Sequence, residues 1–301
     1  MAERFFYGGQ ALVEGVMVRG RTGVHIAVRR PDGTIHRERL ALPRFARSPL
    51  RRVPFVRGVV VLAEALVVGV RALMRSAQVA TGEEAPLPSW AVWGTVAVSL
   101  ALGLGLFLFL PLLGARSVDA WLPLPTLAHL VEGVLRVALL LGYLYLIGRM
   151  ADIRRVFAYH GAEHMAIHAY EHGSPLEPSA VVRFPTAHPR CGTAFLLVVV
   201  VVSVFAFALL GRPGLLWGMV GRLLLVPAVA GVSYEVLRLA GTRPSAPLAR
   251  LASLPGLWLQ RLTTRPPDRG QIEVALTALR DALRADGLTP AGEGRCPSVL
   301  G

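Results

Sequence analysis

Five of the eight histidines fall between positions 160 and 188, and the centre of that stretch is Tyr159-His160-Gly161-Ala162-Glu163-His164. On a helix, His160 and His164 stand one turn apart on one face, the spacing at which two imidazoles can share a metal ion. Glu163 lies between them, giving H-x-x-E-H, the inverse of the zincin order. In that chemistry zinc lowers the pKa of a bound water to about 7 and the glutamate takes the proton. A second element, His188-Pro189-Arg190-Cys191, places an imidazole and a thiol at H-x-x-C spacing in a turn. His160, His164, His188 and Cys191 together make a complete tetrahedral zinc shell. Two opposed readings follow. With all four bound, the site is closed and structural; with three, one position stays open and Glu163 becomes catalytic. Cys191 fits equally well as a small buried residue capping an apolar span. Glu171 is a further candidate ligand. A straight helix carries it roughly 10 Å beyond His164, so it can join only if the helix ends near Gly173. His168 and His172 continue the four-residue series and are expected as solvated histidines on a polar face.

One absence narrows the remaining chemistry. All 32 basic residues are arginine, and lysine does not occur among the 301 residues. That excludes a Walker-type phosphate loop and Schiff-base or pyridoxal chemistry, each of which needs the amine. With the amine excluded, activated water, a carboxylate and Cys191 are the nucleophiles considered for this segment. Cys191 and Cys296 lie far apart with no CxxC, which argues against a disulfide framework. A net charge of +13 in a soluble chain would suggest nucleic acid. Yet 53% of the residues are hydrophobic, only 17% are charged, and mean hydropathy is +0.52. Those values belong to a membrane protein, in which arginine sets orientation.

The elements that position the histidines are therefore expected in and beside a bilayer. Residues 90–113, 127–150, 195–210 and 215–240 are each long and apolar enough to cross about 30 Å of hydrocarbon. Glu132 and Arg136, one turn apart in the second stretch, can neutralise each other. The last two stretches are joined by Gly211-Arg212-Pro213-Gly214, which predicts a hairpin. Segments 1–89, 149–193 and 241–301 hold 14, 5 and 8 arginines, whereas the two opposite loops hold only Arg116 and Arg212. The positive-inside rule then puts both termini and the histidine segment in the cytoplasm. The first residues lack the basic-then-apolar run and cleavage site of a secretory signal.

Residues 53–80 carry Arg57, Glu64, Arg71 and Arg75 on one narrow helical stripe. This fits a helix at the interface, or packed on the bundle, better than a fifth span. Residues 24–30 and 34–40 alternate around Pro31-Asp32-Gly33, which predicts a β-hairpin. Residues 246–262 fit an interfacial segment and 271–286 a short amphipathic helix, followed by a frayed tail. The chain accordingly divides into a cytoplasmic segment 1–52 and the amphipathic helix 53–80. A transmembrane domain 90–240 follows, containing the histidine-rich segment 151–193, and then a cytoplasmic segment 241–301.

Four blocks resemble a known family. GGQALVEGVMVRG at the start, YHGAEH and HPRCGT in the centre, and PGLWLQRLTTRPPDRGQIEVAL near the end are similar to the YqhQ family of bacterial membrane proteins, also called DUF1385. They run in order from Gly8 to Leu276, nearly the whole chain. The family is described as predicted metal-dependent enzymes, so the resemblance implies one membrane-embedded site without supplying a substrate. It singles out Gln10, Glu14 and Arg19 near the start. In the centre it marks His160, Glu163, His164, Glu171, His188, Arg190 and Cys191. The chain departs where the family usually follows HGAEH with lysine; here Met165 stands, which weakens any role for a cation there. Gln10, Glu14 and Arg19 have helix-like spacing of four and five in an apolar segment. They either form a solvated N-terminal face or turn inward against the bundle.

The sequence thus predicts an all-α membrane protein of about four transmembrane helices, with an interfacial amphipathic helix, a small N-terminal β-hairpin and cytoplasmic helices. The expected function is a zinc hydrolase of the bacterial cytoplasmic membrane, with Glu163 as base. His160, His164, His188, Cys191 and Glu171 are its candidate ligands, and a peptide or lipid-derived compound is its substrate. Expected partners are a divalent metal, zinc first, and anionic lipid headgroups, with no nucleic acid. Two other classes stay open: a scaffold with a structural metal, and a metal or ion transporter, prompted by Glu132, Arg136, Arg222 and Glu235.

Overall fold

The structure, a computed structural model, describes residues 5–82, 88–118, 125–211, 214–242 and 247–289. Cys296, Arg212 in the expected turn, and the expected tail beyond 289 lie outside the described residues. Strands β1 (Gly8–Leu12), β2 (Gly15–Arg19), β3 (Val24–Arg29) and β4 (Ile35–Leu40) form one antiparallel sheet in that order. The β3–β4 hairpin is the one that alternation predicts, with Gly33 at φ 85° in its turn.

The β1–β2 hairpin corrects the expected N-terminus, because the helix-like spacing of Gln10, Glu14 and Arg19 belongs to paired strands. Both faces of β2 are covered, so apolar residues fill nearly all its positions and no alternation shows there. Val16, Val18 and Ala27 face one core, whereas Met17, Val24, Ile26 and Val28 face another.

Helix α1 (Val56–Thr81) supplies the second of these cores through Val68, Ala72 and Val79. Its charged stripe is a row of ion pairs. Glu64 is buried between Arg19 and Arg51, each at 3.0 Å, and Arg75 meets Glu38 at 2.7 Å. Only Arg71 of the four is exposed.

Helix α2 (Ser89–Leu104), a π turn (Gly105–Phe109) and α3 (Leu110–Ser117) make one continuous helical run. Together with α4 (Pro125–Ile147) and α8 (Leu215–Thr242), this gives, among the described residues, three helices long and apolar enough to cross a membrane. The remaining apolar helix, α7 (Thr193–Ala208), has 16 residues and packs against α8. It rises about 24 Å.

Among these helices Glu132 accepts from Arg222 at 2.6 and 2.9 Å and from Arg136 at 2.7 Å. Arg136 also donates to Ser203 and to the Phe107 carbonyl, both at 2.9 Å. That carbonyl lies in the π turn, where the helical ladder is interrupted.

Beyond the apolar helices lie α5 (Ala151–Glu171), the short α6 (Pro178–Val181), α9 (Pro247–Thr263) and α10 (Arg269–Ala285). A capping box between Asp268 and Gln271 starts α10. Its apolar face, with Ile272, Leu276, Leu279 and Leu283, packs on α5 and on the sheet face opposite α1. The sheet is thus a middle layer, with α1 on one side and α5 with α10 on the other.

Candidate metal centre

Helix α5 carries the histidines. Asp152 in its first turn complements the helix N-terminus. Gly173, at φ 65°, ends it: the Ser174 N–H donates to the Ala169 carbonyl and the Gly173 N–H to Tyr170. The helix therefore stops where Glu171 needs it to stop in order to turn toward the 183–192 loop.

His160, His164 and Cys191 converge. His160 Nε2 lies 3.2 Å from Cys191 Sγ, and one ligand atom from each of the three lies within 4.8 Å of the others. Both imidazoles are held from behind by carbonyls. His160 Nδ1 donates to Thr263 at 2.8 Å, and His164 Nδ1 to Thr186 at 2.6 Å. A carbonyl can only accept, so in the neutral rings Nδ1 carries the proton and Nε2 is the unprotonated nitrogen, which in His160 accepts from the Cys191 thiol. This is the tautomer and the support that a metal-ligating histidine uses. Gly161 permits the arrangement: a Cβ there would overlap the Arg265 carbonyl oxygen and push the 263–265 segment off α5.

Glu163 is buried beside this cluster, with Oε2 3.5 Å from His164 Nε2. Gly9 of β1 packs directly on its side chain and donates its backbone N–H to the carboxylate. Burial pushes the Glu163 carboxyl above its ordinary range, opposed by His160, His188 and that N–H. Burial likewise pushes His164 down, which keeps the ring neutral and available as a ligand.

The expected four-residue shell divides here. The His188 ring lies 5.7 Å from that of His164 and belongs to a second group with His168 and Glu171. His188 Nδ1 accepts the Arg190 N–H at 3.2 Å, so the ring proton sits on Nε2, which faces Glu171 Oε2 at 3.3 Å. Arg190 pairs with the other oxygen of Glu171. In this tautomer His188 is a hydrogen-bond donor to Glu171, and its Nε2 has no lone pair to offer. His168, expected in solvent, is half-buried and donates Nε2 to the Ala187 carbonyl at 2.9 Å. Burial pushes it down to about 4. His172 is exposed, as expected.

Sequence reasoning missed the residues that act through the backbone. Gln260 of α9, fully buried, clamps His188: its Oε1 accepts the His188 N–H at 2.7 Å and its Nε2 donates to the His188 carbonyl at 3.0 Å. The segment expected at the interface thus ends inside the site. Of the three N-terminal residues, Gln10 and Arg19 line a cavity of about 330 Å³ that also touches Glu163, His164, His188 and Cys191. Glu14 goes elsewhere. It occupies the β1–β2 turn at φ 51° and pins it to α5 through Arg155, at 2.7 Å, and the Tyr159 hydroxyl, at 3.1 Å. Met165, standing where the family usually has lysine, is buried in the core.

A family profile described as "Protein of unknown function (DUF1385)" matches residues 53–285. The chain is 34% identical to the "Uncharacterized protein YqhQ" of Bacillus subtilis (strain 168), over 98% of this chain and 97% of that one. No solved structure matches. A profile match over most of the chain and a relative aligned nearly end to end place this protein in the DUF1385 family.

Proposed function

We propose that the chain is an integral membrane metal-dependent hydrolase whose site faces the cytoplasm, with His160, His164 and Cys191 as metal ligands and Glu163 as general base. The observation that carries this reading is the convergence of two imidazoles with unprotonated Nε2 and a thiol, next to a buried carboxylate beside a cavity. Two nitrogens and one sulfur suit zinc and leave a coordination position open, as in catalytic rather than structural sites. When bound, such a metal supplies Lewis acidity and makes water a nucleophile near neutral pH. The chain's own residues do the rest. Thr263 and Thr186 orient the imidazoles, Gly9 holds the carboxylate, and Glu163 takes a proton from the attacking water at Oε2. Glu171, Arg190 and Gln260 fix the His188 turn that delivers Cys191.

In this reading α7 is a fourth span, and both termini and α5 lie on the arginine-rich cytoplasmic side, in contact with anionic headgroups. Transport is disfavoured because the intramembrane charges are consumed by one another: Glu132 by Arg136 and Arg222, and Glu235 by Arg57 at 2.7 Å.

The test is the metal content of the detergent-purified protein, measured by plasma mass spectrometry. About one metal per chain is expected in the parent and in Glu163→Gln, and none in His164→Ala. A parent protein without stoichiometric metal ends the reading.

A further inference from the structure

The cavity beside the candidate centre has two unlike ends. One is the cluster itself, with Glu163 and Cys191; the other holds Arg19, Arg51 and Glu64. The rest of the lining is mostly apolar, with Met17, Ile167 and, from α1, Val61, Ala65 and Val68, joined by the Gln10 amide, which lies against Gly69 of α1. Two guanidiniums meet a single carboxylate at the far end, so that end stays net positive with its ion pairs formed. The third lining arginine, Arg190, already shares its charge with Glu171. A ligand that fits must carry negative charge at one point and hydrocarbon along its length.

The apolar wall continues outward. Ala65 is exposed, and the residues following Val61 and Ala65 on α1, Leu62 and Leu66, are 40% and 56% exposed. Phe6, which also lines the cavity, is 50% exposed. The first turns of α1 are docked on a membrane-crossing helix. Gly58 lies against Gly231 and Tyr234 of α8, where a Cβ would come within 2.7 Å of Tyr234, and Arg57 pairs with Glu235. This contact joins the start of α1, and the exposed apolar face that follows it, to the last turns of a helix long and apolar enough to cross a membrane. Leu50, Val53 and Phe55, all exposed, extend that face among Arg51, Arg52 and Arg57, the composition of a surface lying on anionic lipid.

We infer that the cavity receives an anionic phospholipid, which enters sideways from the bilayer along α1, with its phosphate held by Arg19 and Arg51 and its acyl portion along Val61, Ala65 and Val68. This rests on the proposed hydrolase reading only for what happens at the Glu163 end; the binding stands by itself. Charge complementarity selects the phospholipid, and continuity of the cavity wall with the lipid-facing surface selects its route.

The experiment measures binding without turnover, so its failure is separate from a failure of the hydrolase reading. Full-length protein in dodecyl maltoside is titrated with a fluorescent short-chain phosphatidylglycerol, the same-chain phosphatidylcholine, or inorganic phosphate as competitor. Saturable binding of phosphatidylglycerol is expected, with weaker phosphatidylcholine binding and little competition by phosphate. Arg51→Gln should weaken it about tenfold, the loss of one charge-assisted contact. Ala65→Trp, at an exposed position where the fold tolerates bulk, should abolish binding by closing the mouth. Equal binding of the two lipids, full competition by inorganic phosphate, or unchanged affinity in Ala65→Trp overturns the inference.

Discussion

Gly161 and Glu163 stand two residues apart on α5 and act on different parts of the candidate centre. Gly161 admits the segment whose Thr263 carbonyl orients His160, so Gly161→Ala forces overlap with the Arg265 carbonyl. Overpacking of this kind costs about 1–3 kcal/mol; thermal unfolding should show that loss together with reduced metal content. Glu163→Gln keeps the shape and removes the base. Once a substrate is in hand, turnover should fall by at least about 100-fold with metal retained.

His168 gives a pH signature. Burial lowers it from 6.5 to about 4, so the unfolded chain binds a proton that the fold refuses. Its contribution is present above pH 6.5 and is lost as pH falls toward 4. In His168→Asn, the melting temperature should therefore drop less than in the parent between about pH 7 and about pH 4. At this scale the sequence was partly legible. H-x-x-E-H and H-x-x-C announce themselves because side chains at fixed spacing do the ligating. Gln260, Thr186 and Thr263 did not, because they act on or through backbone groups that any residue possesses. The partition of His188 from Cys191 was equally hidden, since the two-residue turn between them can send their side chains to different clusters.

Among the elements, the strongest dependence is on Glu132. Among the described residues it is the carboxylate that pairs with both buried guanidiniums, Arg136 and Arg222, from α4 and α8. Glu132→Gln leaves both cations without a counter-charge, and breaking a buried pair in this way costs about 3–5 kcal/mol. Thermal unfolding in detergent should register it, whereas Arg71→Gln, at an exposed position, should change little. The Glu132–Arg136 pair was visible as an i, i+4 spacing. Arg222 as its second partner was not, because it lies 90 positions from Glu132 in the sequence. The β3–β4 hairpin was legible because one flank alternates, as Ile35-His36-Arg37-Glu38-Arg39-Leu40 shows. The β1–β2 hairpin was not. Helices cover both faces of its inner strand, so burial erased the period of two that marks a half-exposed strand.

On the scale of the whole molecule, the sheet joins two roles. One of its faces packs on α1, which reaches α8, and the other packs on α5 and α10, which carry and support the candidate centre. Hydropathy located the apolar helices but not this layering, since the contacts between α1, the sheet and α5 depend on long-range packing. Whether α7 crosses decides the topology by parity. Four spans return the chain to its starting side; three leave its two ends opposed. Reporter fusions at residues 21 and 287 should both behave as cytoplasmic, and a fusion at 211 as external.

The central claim is that a metal is held by two nitrogens and one sulfur, with His188 outside its shell. X-ray absorption at the zinc edge of the purified, metal-bearing protein tests this most directly. The prediction is one sulfur at about 2.3 Å and two imidazole nitrogens at about 2.0–2.1 Å, with a lighter non-imidazole atom completing the shell. A shell without sulfur, or one with three imidazoles and a sulfur, would contradict it.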